Sequence, residues 1–130
     1  MAQSVWSVSI VLGCLLAAGV ASAHHSTQVY FDTTKRVTVT GTLLTVDWRN
    51  PHIEFSVETK DGQGQTQPWR IESMPPNWFA RHKVSKADLA GVIGQTVTIV
   101  VLPARDGSLY GNVVRITLPD GKVIAVRDRP

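Results

Sequence analysis

Apolar and polar residues alternate with a period of two over most of the chain after residue 36, the pattern of half-buried strands. Val37, Val39, Gly41 and Leu43 share one parity, with threonines between them, and then Leu44, Val46 and Trp48 continue on the other. A one-residue slip sends side chains to the opposite face, so the change of phase between Gly41 and Leu44 predicts a bulge or a sharp coil, the usual place for a strand glycine. A long first strand bent halfway serves two sheets of a small barrel. Ile53, Phe55 and Val57 form the inward face of a second strand, and Asp61-Gly62-Gln63-Gly64 is a turn by composition. A third strand covers residues 67–72 with Trp69 and Ile71 inward, and Met74-Pro75-Pro76 stops it because proline cannot continue a ladder.

Residues 77–83 read as one or two helical turns, with Trp78, Phe79 and His82 on a shared side. Ser85-Lys86-Ala87-Asp88 is a capping box with Asp in place of Glu, which predicts a second short helix. A fourth strand over 95–102 carries Val97, Ile99 and Val101 on one face. Pro103-Ala104-Arg105-Asp106-Gly107-Ser108 is a hairpin connection, followed by a fifth strand over 110–118, a Pro119-Asp120-Gly121 turn and a short sixth strand over 122–126. Three meandering strands, a helical insertion and two or three further strands give the chain order of an OB-like barrel of five to six strands, a mainly β fold. A split barrel or sandwich made from the same strands is the alternative. The domain is then 36–126, preceded by an extended arm at 24–35 with Val29, Tyr30 and Phe31 as anchors and followed by a frayed tail at 127–130.

The amino-terminal segment has a different character. Residues 1–23 contain no Lys, Arg, Asp or Glu, and the apolar run 8–20 is too short for a comfortable membrane span. It closes with Ala21-Ser22-Ala23, a small-x-small pattern, so we read 1–23 as a signal peptide cut after Ala23, with a cut after Ser22 as a variant. An uncleaved anchor is the other reading, because only the terminal amine supplies basic charge ahead of the run. Val11-Leu12-Gly13-Cys14 is a faint lipoprotein pattern, with a further apolar stretch behind it. The expected location is periplasmic or secreted, with no stable membrane insertion after cleavage. The sole cysteine, Cys14, leaves with the leader, so the mature domain has no disulfide and stands on its hydrophobic core. The net charge of +3 is interspersed along the chain, without the basic blocks that track a phosphate backbone, and nucleic acid is not an expected partner.

Cleavage changes the chemistry of two histidines. It makes His24 the amino terminus, followed by His25. A free α-amine titrates at about 8 and so can lose its proton and bind metal. The amine, the His24 and His25 imidazoles and His52 offer a nitrogen-rich site, which favours Cu(II) and then zinc or nickel. A cut after Ser22 places a histidine third in Ala23-His24-His25, which also chelates Cu(II). The plainer view is that adjacent histidines on an arm bind metal only adventitiously. His52 follows Pro51 and shares a face with Glu54, as a local His-carboxylate pair or an ordinary rim histidine; His82 reads as helix surface. Met74 is the only methionine left after cleavage, which argues against a thioether Cu(I) site.

Trp48, Trp69 and Trp78 line a groove or, more simply, the core. Trp48, Arg49, His52 and Arg105 form a second candidate face, for an anion, a small ligand or an envelope protein, although Arg105 and Asp106 also suit an internal pair. No nucleophile elbow, His-Glu-x-x-His helix or glycine-rich phosphate loop is present, so the chain reads as a binding protein and not an enzyme.

His24-His25-Ser26, Val37-Thr38-Val39-Thr40-Gly41-Thr42, Trp48-Arg49-Asn50-Pro51-His52, Pro103-Ala104-Arg105-Asp106-Gly107-Ser108 and Leu118-Pro119-Asp120-Gly121 together make the chain resemble a family of small exported proteobacterial proteins known only as a domain of unknown function. The resemblance covers nearly the whole mature chain and implies a periplasmic β-barrel-like domain. It carries over no catalytic or binding residue. Gly91-Val92-Ile93-Gly94-Gln95 stands where a Lys-Pro-Gly-Asp type turn is usual in that family.

Overall fold

The change of phase in the first strand is the point about which the barrel is built. In the computed structural model, which describes residues 27–127, β1 (Val37–Asp47) pairs with β4 (Thr96–Pro103) through Val37 to Thr42, and with β2 (Glu54–Lys60) from Thr42 onward. A bulge lies between Leu43 and Thr45, where the alternation changes phase. Gly41 sits at this crossing, and a β-carbon there would lie 2.1 Å from the Glu58 carbonyl oxygen, so only glycine lets the two backbones approach. The bend thus needs both a phase slip and a missing side chain.

β2 continues to β3 (Thr66–Glu72), and β4 returns to β5 (Tyr110–Thr117). A parallel pairing of β3 with β5 closes the five-stranded barrel, with β6 (Val123–Ala125) added outside β5. This is the OB-like barrel expected from the order of elements. Its interior is filled by the alternating positions, among them Val39, Leu43, Ile53, Phe55, Val57, Ile71, Val97, Ile99, Val101, Val113 and Ile116, all buried. Burying each larger aliphatic side chain contributes about 1.5–3 kcal/mol before the entropy of ordering it is counted.

The insertion between β3 and β4 holds two short helices. One, Pro76–Arg81, starts on a proline whose missing N–H has no partner to lose, and its Phe79 is completely buried in the core. The next, Lys86–Ala90, begins with the capping box between Ser85 and Asp88 and buries Leu89. Residues 91–95 then turn into β4 with Gly94 at φ 84°.

The segment leading into the barrel differs from the extended arm read from sequence. Thr27–Tyr30 close one helical turn, and of the three expected anchors only Phe31 is buried, packing with Leu102 and Val114 in a second, smaller cluster. Val29 and Tyr30 are exposed. The segment is stitched to the β4–β5 connection by hydrogen bonds from Asp32 N to Pro103 O and from Arg105 N to Tyr30 O, and by a bridge between Phe31 and Ala104. Among the described residues no helix is long and apolar enough to cross a membrane. The expectations for the leader, its cleavage, Cys14, His24 and His25 fall outside the described residues, as does residue 128 onward of the tail.

Candidate functional site

Strand register sets the site. Asp47 on β1 stands opposite Glu54 on β2, Glu54 opposite Glu72 on β3, and Glu72 opposite Asn112 on β5. Like charges directly opposite one another repel, so each carboxylate in such a row needs a partner. Asp47 has the Arg49 guanidinium. Glu54 takes both branches of Arg70, with Nε donating at 2.9 Å, and this pairing holds the Glu54 carboxyl below its ordinary pKa. Arg70 in turn lies over the Tyr110 ring, 4.7 Å from its centroid.

Glu72 is different. The Tyr110 hydroxyl donates to its Oε2 at 2.6 Å and Asn112 Nδ2 donates to Oε1 at 3.3 Å. Both donors are neutral. Burial raises the Tyr110 pKa first, and the hydrogen bond to Glu72 adds to the rise, so the phenol keeps its proton and remains a donor. His52 is also within ion-pair reach of Glu72, its Nε2 lying 3.9 Å from Oε1, beyond hydrogen-bond distance, and the Arg70 and Arg127 guanidinium groups act on the Glu72 charge as well.

His52 is held from its other side. Backbone bonds from Ile53 N to Met74 O and from Ser73 N to Ile53 O bring the two strand ends together. The Ser73 carbonyl then lies 3.1 Å from His52 Nδ1. A carbonyl only accepts, so Nδ1 carries a proton and Nε2 is the nitrogen turned toward Glu72. A metal-binding histidine is oriented in the same way, by a carbonyl on the nitrogen that does not ligate. The carboxylate facing His52 is therefore Glu72, whereas the sequence pointed to Glu54; Glu54 is taken by Arg70.

His52 and Glu72 line a cavity of about 580 Å³. Tyr110, Met74 and Arg127 contribute to its wall, and so does Thr27 at the start of the described chain. The Arg127 guanidinium is pushed below its ordinary pKa by burial, an effect that the Glu72 charge partly offsets. Close to Glu72 in the chain or in space, two buried oxygens, Ser73 Oγ and Asn112 Oδ1, have no hydrogen-bond partner among the described residues. No group of three His, Cys, Asp or Glu able to hold a metal occurs among the described residues. The cavity itself offers two such donors.

The other candidate residues are not gathered here. Trp48 packs on Phe79 with ring centroids 5.7 Å apart and lines a separate shallow pocket with Lys83 and Lys86. Arg49 is exposed and paired with Asp47. Arg105 donates from Nε to the Gln28 carbonyl at 2.9 Å, so it clamps the incoming segment, and it lines neither pocket. Trp48 and His52, two of the four residues expected to form one face, thus line different pockets. Trp69 and Trp78 are half-buried against the core. His82 stacks on Trp78 at 3.8 Å and donates from Nδ1 to the Trp78 carbonyl, an arrangement internal to the helix end.

Glu72, Tyr110 and Asn112 were missed from the sequence. Parity does show that Glu72 points away from buried Ile71, but its partners come from the parallel β3–β5 closure, to which no local pattern points.

No curated protein and no solved structure matches the chain. A family model does match over residues 12–113, a span that includes His52, Glu72 and Tyr110, and the chain belongs to that family of unknown function, DUF6152.

Proposed function

We propose that this is an exported metal-binding protein which holds Cu(II), or another divalent ion, between its mature amino terminus and His52. The observation that carries the proposal is the shared cavity: Thr27 and His52 line the same space, and His52 presents Nε2 with Nδ1 already tied to a carbonyl. His25 and His24 precede Thr27 by two and three residues. At 3.3–3.6 Å per residue, those positions have a reach of roughly 7 and 10 Å from it. The α-amine and the two imidazoles of the cleaved chain then supply the nitrogen donors that the described residues lack. Four nitrogen or oxygen donors suit the tetragonal preference of Cu(II), and affinity order places copper ahead of zinc or nickel.

Export and cleavage after Ala23 belong to the same proposal, because the site needs a free amine at His24. Two changes test it in a Cu(II) competition titration. Replacing His52 by Ala removes one ligand, and adding one residue ahead of His24 displaces the amine. Each is expected to weaken Cu(II) retention by at least about 100-fold, since altering even an outer-sphere partner typically costs 10- to 100-fold. Retention unchanged by both alterations means that any copper bound is adventitious, and sinks the proposal.

A further inference from the structure

Independently of any metal, we infer that the insertion between β3 and β4 is a docking face for an acidic peptide segment of another protein, which seats one apolar side chain against Trp48 and sets its carboxylates at Lys83 and Lys86. The helix Pro76–Arg81 is capped by His82, and the chain then closes with Lys83 N bonded to Ala80 O and Val84 N to Phe79 O. Val84 and Phe79 are both buried beneath this closure. It is a Schellman closure, which sets the residue after the cap at positive φ and is ordinarily made with glycine. Here that residue is Lys83, at φ 58°, and among the described residues no other non-glycine lies in that region. Outliers of this kind persist where the surrounding structure holds them, and they gather at ligand-binding sites.

The surroundings of Lys83 indicate the ligand. With Lys86, Trp48, Ala80, Val84 and Ser85 it lines a groove of about 470 Å³, in which Trp48 is half-buried. Charges are interspersed along the sequence, but their excess is local. Of the 13 Lys and Arg, Arg81, Lys83 and Lys86 lie in the stretch 73–87, which has no Asp or Glu, and the 10 elsewhere equal in number the 10 Asp and Glu. Among the described residues none of these three cations has a salt bridge, and the nearest acid in sequence, Asp88, is tied to Ser85 by the capping box. An unpaired group of like charges is complemented by an acidic partner. Three cations do not make the long basic stripe that a phosphate backbone needs. The exposed large apolar residues, Val29, Tyr30, Leu44, Ile93 and Val123, do not line the groove, so it lacks the broad apolar face of a membrane-binding surface. A single apolar side chain flanked by carboxylates fits it, as an anchor in a pocket with charges at its rim.

The test is a nuclear magnetic resonance titration of the protein expressed from its full chain, with an end-blocked peptide that carries one Phe between two Asp-Glu pairs. Shifts are expected at the Trp48 indole N–H and at the amides of residues 83–86, with affinity falling as salt rises. Lys83→Gly and Lys86→Gln are each expected to weaken the peptide about threefold, the scale of one exposed charge pair. Lys83→Gly is also expected to raise the urea midpoint, because glycine relieves the strained φ. Weaker binding with a more stable fold is a split that damage to the structure does not produce. The same peptide with Asn and Gln in place of its acids is expected not to bind. Silence at Trp48, equal binding of the neutral peptide, or binding unaltered by both substitutions overturns the inference. A lowered midpoint in Lys83→Gly also overturns it, since the lysine then serves the fold. Vesicles of anionic phospholipid that bind where the peptide does not, and lose binding in Lys83→Gly, would assign the face to a membrane instead.

Discussion

His52 Nε2 faces Glu72 Oε1 at 3.9 Å, while Nδ1 of the same ring is fixed by the Ser73 carbonyl at 3.1 Å. One nitrogen is thereby committed to the backbone, and the other is the one that would meet a metal ion under the proposed function. Metal ligands must be deprotonated to bind, so under the proposed function Cu(II) affinity is expected to fall as pH is lowered. His52→Ala should make that dependence shallower, measured as the slope of log affinity against pH. An identical slope in the variant would show that His52 does not ligate.

Arg105 should matter to metal binding without touching metal. Its Nε holds the Gln28 carbonyl, and its backbone N–H holds Tyr30, so it fixes the segment that leads back to His25 and His24. Arg105→Ala is expected to speed amide exchange at Tyr30 and Phe31 and to weaken Cu(II) binding less than His52→Ala does. A role in anion binding, the alternative raised by sequence, predicts instead that Arg105→Ala leaves Cu(II) affinity and arm exchange alone.

Acid should weaken the barrel partly through Glu54. Hydrogen bonds from Arg70 lower its folded pKa below the ordinary value of 4.5. A depressed carboxylate contributes stability in full above its unfolded pKa and loses it as pH falls through the folded value. The Arg70 side chain is 63% exposed, so solvent screening limits the pair to about 1 kcal/mol or less. Urea unfolding between neutral and strongly acid pH should therefore show a shallower decline for Arg70→Gln than for the unaltered protein. Equal declines would assign the acid sensitivity elsewhere.

Gly41→Ala should be among the most damaging small substitutions. The added carbon meets the Glu58 carbonyl oxygen and carbon at 2.1 and 2.9 Å, both backbone atoms that move only if β1 and β2 separate. Overpacking of this kind costs about 1–3 kcal/mol, and more where no rotamer can relieve it. Chemical denaturation reads the loss; a change below about 0.5 kcal/mol, the usual effect at an indifferent surface position, would mean that the strands part easily there.

Much of the barrel is written locally. The phase slip at Gly41 to Leu44 marks the bulge, Ser85 and Asp88 mark a helix start, and Ile53, Phe55 and Val57 mark an inward face. These features depend on near neighbours, so the pattern of the chain exposes them. The site does not depend on near neighbours. Glu72 meets Tyr110 and Asn112 across 38 and 40 residues through the parallel closure, and Arg105 meets Gln28 across 77. His52 was legible as a candidate, but its carboxylate partner was not, because Glu54 was nearer in sequence while Arg70, 16 residues on, had the geometry to take it.

The most direct test of the proposed function is native mass spectrometry of the protein expressed from its full chain, loaded with one equivalent of Cu(II) and challenged with a chelator. The account expects a mass for residues 24–130 with one copper retained. A chain cut after Ala23 that gives up its copper to a weak competitor, or a chain that still carries residues 1–23, would contradict it.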